Sequence, residues 1–176
     1  MAIDALVLPL LSVPLFQGLK PLQLTEIARR ADRIVYNPGD VIISENQSSD
    51  AAVLVVSGDA QRISGPGLGA EPEMVPVGSL IAEMTMIIET ECTSTIVART
   101  RVRALRITRS EMLAQMTEDP ALAGHFISKI SDRLSTFVDN IREIDESLIQ
   151  AEGANAPAAA FAGQGATQAV TSSAVH

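Results

Sequence analysis

Between Arg33 and Ile107 the chain is a series of short β-branched runs, Ile34-Val35-Tyr36, Val41-Ile42-Ile43 and Val53-Leu54-Val55-Val56, divided by Asn37-Pro38-Gly39-Asp40 and Ser57-Gly58-Asp59. Side chains branched at Cβ favour extended backbone, while glycine, proline, asparagine and aspartate break it. Many short strands with frequent turns predict a mainly β chain closed as a barrel or sandwich. Gly65-Pro66-Gly67-Leu68-Gly69 has the glycines of a phosphate-cradling loop but no following Lys-Ser/Thr, and Pro66 removes an amide donor. It reads as a hairpin loop.

The flanks change period. Ala5 to Phe16 is strongly apolar, yet Asp4 opens it, Pro9 and Pro14 interrupt it, no Lys or Arg precedes it, and it falls short of the ~20 residues that span a bilayer. It is expected to pack in the core of a cytoplasmic protein. From Pro21, a short amphipathic helix is expected to turn Leu22, Leu24, Ile27 and Ala28 inward and Arg29, Arg30 and Asp32 to water. After Thr108 a short helix capped by Ser110 runs to Met116, and Asp119-Pro120 opens a longer one.

The longer helix carries Ile127, Ile130, Leu134, Phe137, Ile141, Ile144 and Leu148 at alternating spacings of three and four, a heptad seam between mostly charged neighbours such as Lys129, Asp132, Arg133 and Glu143. A narrow apolar stripe on a wet helix calls for a partner, so a homodimeric coiled coil is expected, the alternative being that the stripe folds back on its own barrel. Beyond Glu152 the side chains are uncharged and mostly small, which predicts a disordered low-complexity tail. The expected organisation is 1–117 barrel with N-terminal helices, 118–152 dimerisation helix and 153–176 tail. No helix-turn-helix follows the long helix, so no nucleic-acid binding in cis is expected.

The formal charge of -8 also argues against a phosphate backbone as target and for a basic partner surface. Cys92 is the only cysteine and the two histidines, His125 and His176, read as ordinary polar residues, so neither a disulfide nor a metal or cofactor is expected. No nucleophile is paired with a base, and Glu89 and Glu91 read as exposed turn residues, which points away from an enzyme.

Three segments, in this order and spacing, carry a family resemblance: Val13-Pro14-Leu15-Phe16-Gln17-Gly18-Leu19; Tyr36 to Ile42 with Val55-Val56-Ser57-Gly58; and Gly78 to Met86 leading to Cys92-Thr93-Ser94-Thr95-Ile96-Val97. Together they resemble the cyclic-nucleotide-binding domain family of the cAMP receptor protein and protein kinase A regulatory-subunit type, over about Leu10 to Leu148. The resemblance implies a double-stranded β-helix, a jelly-roll-like and cupin-like barrel with flanking helices and a long C-terminal helix. It also implies a phosphate-binding cassette at Gly78, Leu80, Ile81, Ala82, Glu83, Cys92, Thr93 and Ser94. There, chain amides would cradle an anion and Glu83, expected to be buried, would accept from a ribose hydroxyl.

The cassette is degenerate. The family has an arginine on the cyclic phosphate where this chain has Cys92, a loss of about 2 to 4 kcal/mol or roughly a hundredfold in affinity. It usually has glycine where this chain has Ala82. Arg99, Arg101, Arg103, Arg106 and Arg109 are read as solvated strand-edge charges, with a substitute phosphate clamp as the alternative; Cys92 is read as a small buried hydrophobe rather than a redox thiol. Phe126, Ile127 and Ile130 are the candidate lid, and Ser128 or Ser131 the candidate contact to a purine edge. The expected function is a stand-alone, homodimeric regulatory module that senses cAMP or cGMP and signals through its long helix to a protein partner. The alternative is a scaffold or interaction protein with a vestigial pocket.

Overall fold

The computed structural model describes residues 7–69 and 71–154; the tail expected beyond Ala154, with His176, lies outside the described residues. The chain divides into two compact units at Asp132/Arg133. The first begins with α1 (Leu8–Leu11), a 3-10 turn (Pro14–Phe16) and α2 (Pro21–Arg30). Ten strands follow: β1 (Asp32–Tyr36), β2 (Val41–Ile43), β3 (Ser48–Ser49), β4 (Ala51–Ser57), β5 (Ala60–Ser64), β6 (Glu73–Val75), β7 (Leu80–Ile81), β8 (Thr90–Glu91), β9 (Thr95–Ala98) and β10 (Val102–Thr108). Then come α3 (Arg109–Glu118) and α4 (Pro120–Ala154).

All strand pairings are antiparallel, in sheets of order β1-β10-β4-β7 and β2-β9-β5-β6, with β3 and β8 as a separate pair. The architecture is the mainly β, jelly-roll-like barrel with flanking helices and a long C-terminal helix that the sequence predicts.

The core has two compartments, and β4 explains them. Alternate side chains of a strand leave by opposite faces. Val53 and Val55 join Ile42, Ile43, Ile81, Cys92, Ile96, Val102 and Ala104 inside the barrel. Ala52 and Leu54 face a second cluster with Leu10, Val13, Phe16, Leu24, Ile27, Leu105, Ile107, Met112, Leu122 and Phe126. A strand covered on both faces needs a continuous apolar run, which is why residues 51–55 show no polar alternation. The apolar N-terminal run does pack in the core, through Val7, Leu10, Val13 and Phe16.

Turn chemistry fixes the register. Gly58 sits at φ +91°, and a Cβ there would stand 2.4 Å from the Arg101 carbonyl oxygen, so the turn after β4 admits no side chain. The Gly65 to Gly69 segment joins β5 to β6 as a hairpin loop, with Ala60 opposite Val75 and Arg62 opposite Glu73. Two expectations are corrected. Leu22 is exposed on α2 rather than buried, because the packed stripe of that helix is Leu24, Ile27 and Ala28. The cap of α3 is Thr108, whose Oγ1 accepts from the Glu111 amide, not Ser110, and the helix extends to Glu118. As expected, Asp119 opens α4, its Oδ1 accepting from the amides of Ala121 and Leu122.

Among the described residues no helix is long and apolar enough to cross a membrane, and no cluster of His, Cys, Asp and Glu has the arrangement to hold a metal ion.

Candidate functional site

The first arm of the cassette leaves the barrel through β7, where Ile81 pairs with Val53 and packs inward. Ala82 follows in the left-handed region (φ 54°, ψ 43°) and turns the chain into a 3-10 helix, Glu83–Met86. An L-residue with a Cβ is strained in that conformation by about 1 to 2 kcal/mol, so the backbone retains a turn suited to glycine although the glycine is gone.

Two side chains hold this turn from outside, and neither was singled out for that role in the sequence. Thr85 is buried, with Oγ1 2.7 Å from the Ala51 carbonyl oxygen and 2.8 Å from that of Ala82. Its single hydroxyl proton is shared between two acceptors at the start of β4 and of the turn. From α3 the Arg109 guanidinium donates to the carbonyls of Ile88 (3.0 Å) and Thr85 (3.5 Å). The only signals available were a hydroxyl inside an apolar run and one member of an arginine-rich stretch.

Glu83 is half-buried rather than buried. A carboxylate keeps access to water unless pairing compensates its desolvation. It lines a cleft of about 400 Å³ with Gly78, Ser79 and Leu80 of the same arm, Pro76 and Val77 before it, and Ser12, Val13 and Pro14 from the N-terminal segment. No basic residue is among these described lining residues.

The second arm is built differently. Cys92 is 5% exposed in the barrel interior, in the cluster of Ile42, Ile43, Val53 and Ile96. Its amide donates to the Gln47 carbonyl (2.8 Å) and its carbonyl accepts from the Asn46 amide (2.9 Å), so this stretch is tied to the loop before β3. Burial pushes the Cys92 thiol above its ordinary pKa, which holds it as a neutral, small apolar group. Cys92 lines a separate pocket of about 260 Å³ with Val41, Ile42, Ile43, Ser44, Gln47, Ser48 and Ser49. This pocket and the Glu83 cleft share no residue.

Thr93 is exposed and Ser94 half-buried. The β5–β6 loop packs on them: a Cβ on Gly65 would lie 2.6 Å from Ser94 Cβ and 2.7 Å from the Thr93 carbonyl oxygen. The structure thus brings together Gly78, Leu80 and Glu83, places Ile81 and Ala82 behind them, and sets Cys92, Thr93 and Ser94 on the other arm.

Of the five arginines, Arg99, Arg101 and Arg103 are exposed. Arg106 pairs with Asp32 and Asp50, and Arg109 braces the turn. No guanidinium of this group lines the Glu83 cleft.

The lid candidates do not share one environment. Phe126 belongs to the helix-side core, edge-on to Phe16 at 6.1 Å between centroids, with His125 packed on it at 5.4 Å. That packing, worth about 1.5 to 3 kcal/mol of side-chain burial, turns Phe126 into the core rather than toward the surface. Ile127 is exposed and Ile130 half-buried, while Ser128 and Ser131 are exposed. His125 is an ordinary polar residue, Nε2 lying 2.9 Å from the Leu15 carbonyl oxygen.

In the second unit the heptad positions Leu134, Phe137, Ile141, Ile144 and Leu148 are all exposed, as is Val138 beside them. The Arg133 guanidinium stands 5.8 Å from the Phe137 ring centroid, a cation–π contact along one edge of the stripe.

Comparison with known proteins agrees with this fold. The chain is 31% identical over 97 residues to the cAMP-dependent protein kinase regulatory subunit of Aspergillus niger, over 55% of this chain and 23% of that protein. It therefore spans less than a quarter of that relative's length. Among solved structures, it matches the cyclic nucleotide-binding-like protein from Brucella abortus bv. 1 str. 9-941 at 28% identity and a TM-score of 0.56, over 66% of this chain and 100% of that one. It shares the fold of the N-terminal domain of a transcriptional regulator from Streptomyces coelicolor A3(2), at 22% identity and a TM-score of 0.65, over 78% and 95% of the two chains. The family model of the cyclic nucleotide-binding domain matches residues 33–119, from β1 to the start of α4. Residues 33–119, with the barrel they form, belong to the cyclic nucleotide-binding domain family.

Proposed function

We propose that this protein is a regulatory module, acting in the cytoplasm and without catalytic activity, that binds cAMP or cGMP weakly and signals through α4 to a protein partner. The observation that carries this reading is the left-handed turn at Ala82. The chain bears a strained, glycine-suited conformation there and braces it with Thr85 and Arg109, which holds Glu83 at the mouth of a cleft. Strain of this kind persists where surrounding structure enforces it, and it clusters at ligand sites. With Cys92 in place of the phosphate-gripping arginine, affinity is expected to be lower by roughly a hundredfold than in a member that has it.

The second unit supports homodimerisation through α4. Leu134, Phe137, Ile141, Ile144 and Leu148 offer an apolar seam at heptad spacing, and a second copy of the same stripe is self-complementary to it.

A second reading, a scaffold or interaction protein with a vestigial pocket, is favoured by one specific observation: Cys92 and Glu83 line separate cavities. Calorimetric titration with cAMP and cGMP separates the two. Sub-millimolar binding to wild type, reduced at least tenfold in Glu83→Ala, supports the sensor. No heat at millimolar nucleotide, for wild type and for Cys92→Arg alike, overturns it in favour of the scaffold.

A further inference from the structure

Away from the cassette, in the first unit, α2, α3 and the first turn of α4 enclose a cleft of about 280 Å³. Its floor includes Gln115, only 4% exposed, whose Oε1 meets no hydrogen-bond donor. A buried amide oxygen without a donor costs free energy that native proteins rarely leave uncompensated, so it marks a place where a donor is wanted.

The surroundings define which donor fits. Glu26, Glu118 and Asp119 line the cleft beside one lining guanidinium, that of Arg30, and Glu26 is already held by Arg29 at 2.6 Å, which leaves Glu118 and Asp119 as the acceptors for a further cation. Arg30 is engaged with Glu118 and lies 3.8 Å from Glu26 and 3.9 Å from Glu111. Asp119 accepts from Gln23 Nε2 at 2.7 Å. Each carboxylate oxygen has two lone pairs, so these contacts do not exhaust the acceptors of the rim.

The remaining wall is apolar. Leu22 is 73% exposed and Leu122 is buried behind it, together offering an aliphatic surface at the side of an acidic cleft. A long basic side chain has both halves of this pattern, a hydrocarbon stem and a charged, donor-only head. The volume lies just below the ~300 to 1,000 Å³ of drug-sized ligand pockets.

We propose that this cleft is a docking site for an arginine or lysine side chain of a partner protein. The stem lies on Leu22 and the head donates to Glu118 and Asp119, and to Gln115 Oε1 once that side chain turns its buried oxygen outward. The formal charge of -8 on the chain favours a basic partner segment by the same sign of field. The site is independent of cyclic nucleotide binding.

The test uses the full chain and a blocked pentapeptide with one central arginine, followed by amide NMR and calorimetry at low salt, up to ~5 mM peptide. The expected result is saturable shifts of the Gln115 side-chain amide and of the Ala121 and Leu122 backbone amides, absent with the norleucine peptide. Glu118→Gln and Gln115→Leu should each weaken binding by about tenfold, the loss of one charge-assisted contact. Gln115→Leu should also raise the thermal midpoint of the free protein, which shows that the variant is folded. No shift at Gln115, or equal shifts with the norleucine peptide, overturns the proposal. Agmatine, which carries the same stem and guanidinium without a peptide, binding as tightly as the arginine peptide overturns the assignment to a partner's side chain and makes this a free-amine site.

Discussion

At the scale of single residues, the cassette turn makes the sharpest statements. Ala82 occupies a left-handed conformation, and returning the hydrogen side chain there removes the Cβ penalty while adding backbone freedom to the unfolded chain. The first effect is the larger, so Ala82→Gly is expected to raise unfolding stability by about 1 kcal/mol in urea denaturation. No gain would mean that the turn relaxes. Thr85→Val keeps the shape but leaves the buried carbonyls of Ala51 and Ala82 without that donor, for an expected loss of about 1 to 3 kcal/mol in the same experiment. The two departures at Ala82 and Cys92 were legible in the sequence because they replace residues whose chemistry a phosphate site requires. Thr85 and Arg109 were not, since a hydroxyl in an apolar run and a guanidinium in a basic run acquire their roles only when distant backbone carbonyls arrive beside them.

At the scale of elements, legibility followed length and period. β4, α2 and α4 have enough residues to display a pattern, whereas β10, whose arginines read as edge charges, is an inner strand between β1 and β4, and β3, β7 and β8 are two residues each and exist only through their partners. The opening of α4 is one element whose chemistry is testable by pH. The Gln23 amide, then the amides of Ala121 and Leu122, hold the Asp119 carboxyl below its ordinary value. A folded-state pKa that is depressed contributes stability above the unfolded value and loses it as pH falls through the folded one. Asp119→Asn cannot titrate, so its stability is expected to fall less steeply than wild type below about pH 4, in denaturation curves at a series of pH values. Parallel curves would place the acid sensitivity elsewhere. Further along the same helix, Phe137 and Ile141 sit at adjacent seam positions and both are exposed. A carboxylate placed within a coiled-coil seam is desolvated without a partner. On the proposed pairing of α4, wild type is expected to be a dimer by light scattering and Ile141→Asp a monomer, with the barrel's melting transition retained.

At the scale of the whole molecule, the question is whether the barrel interior and the ligand communicate, and Cys92 is the residue through which it can be put. A guanidinium at Cys92 enters a cluster of isoleucines and valines with 5% exposure, where an unpaired charge costs several kcal/mol. Cys92→Arg is therefore expected to melt several degrees below wild type in the absence of ligand. A cyclic phosphate would supply the missing counter-charge, so the same variant should bind cAMP or cGMP roughly a hundredfold more tightly than wild type. Since ligand at about 100 times its dissociation constant adds about 2.7 kcal/mol, the two melting curves should converge or cross as nucleotide is added. Cys92→Ala, small and apolar, controls for loss of the thiol and should show the wild-type ligand dependence at every concentration. The crossing tests communication specifically, because a charge that merely disrupts the barrel lowers the midpoint by the same amount with or without nucleotide. A constant offset between Cys92→Arg and wild type across the titration would show that the interior position of Cys92 has no line to a bound phosphate, and that the barrel serves to display its helices.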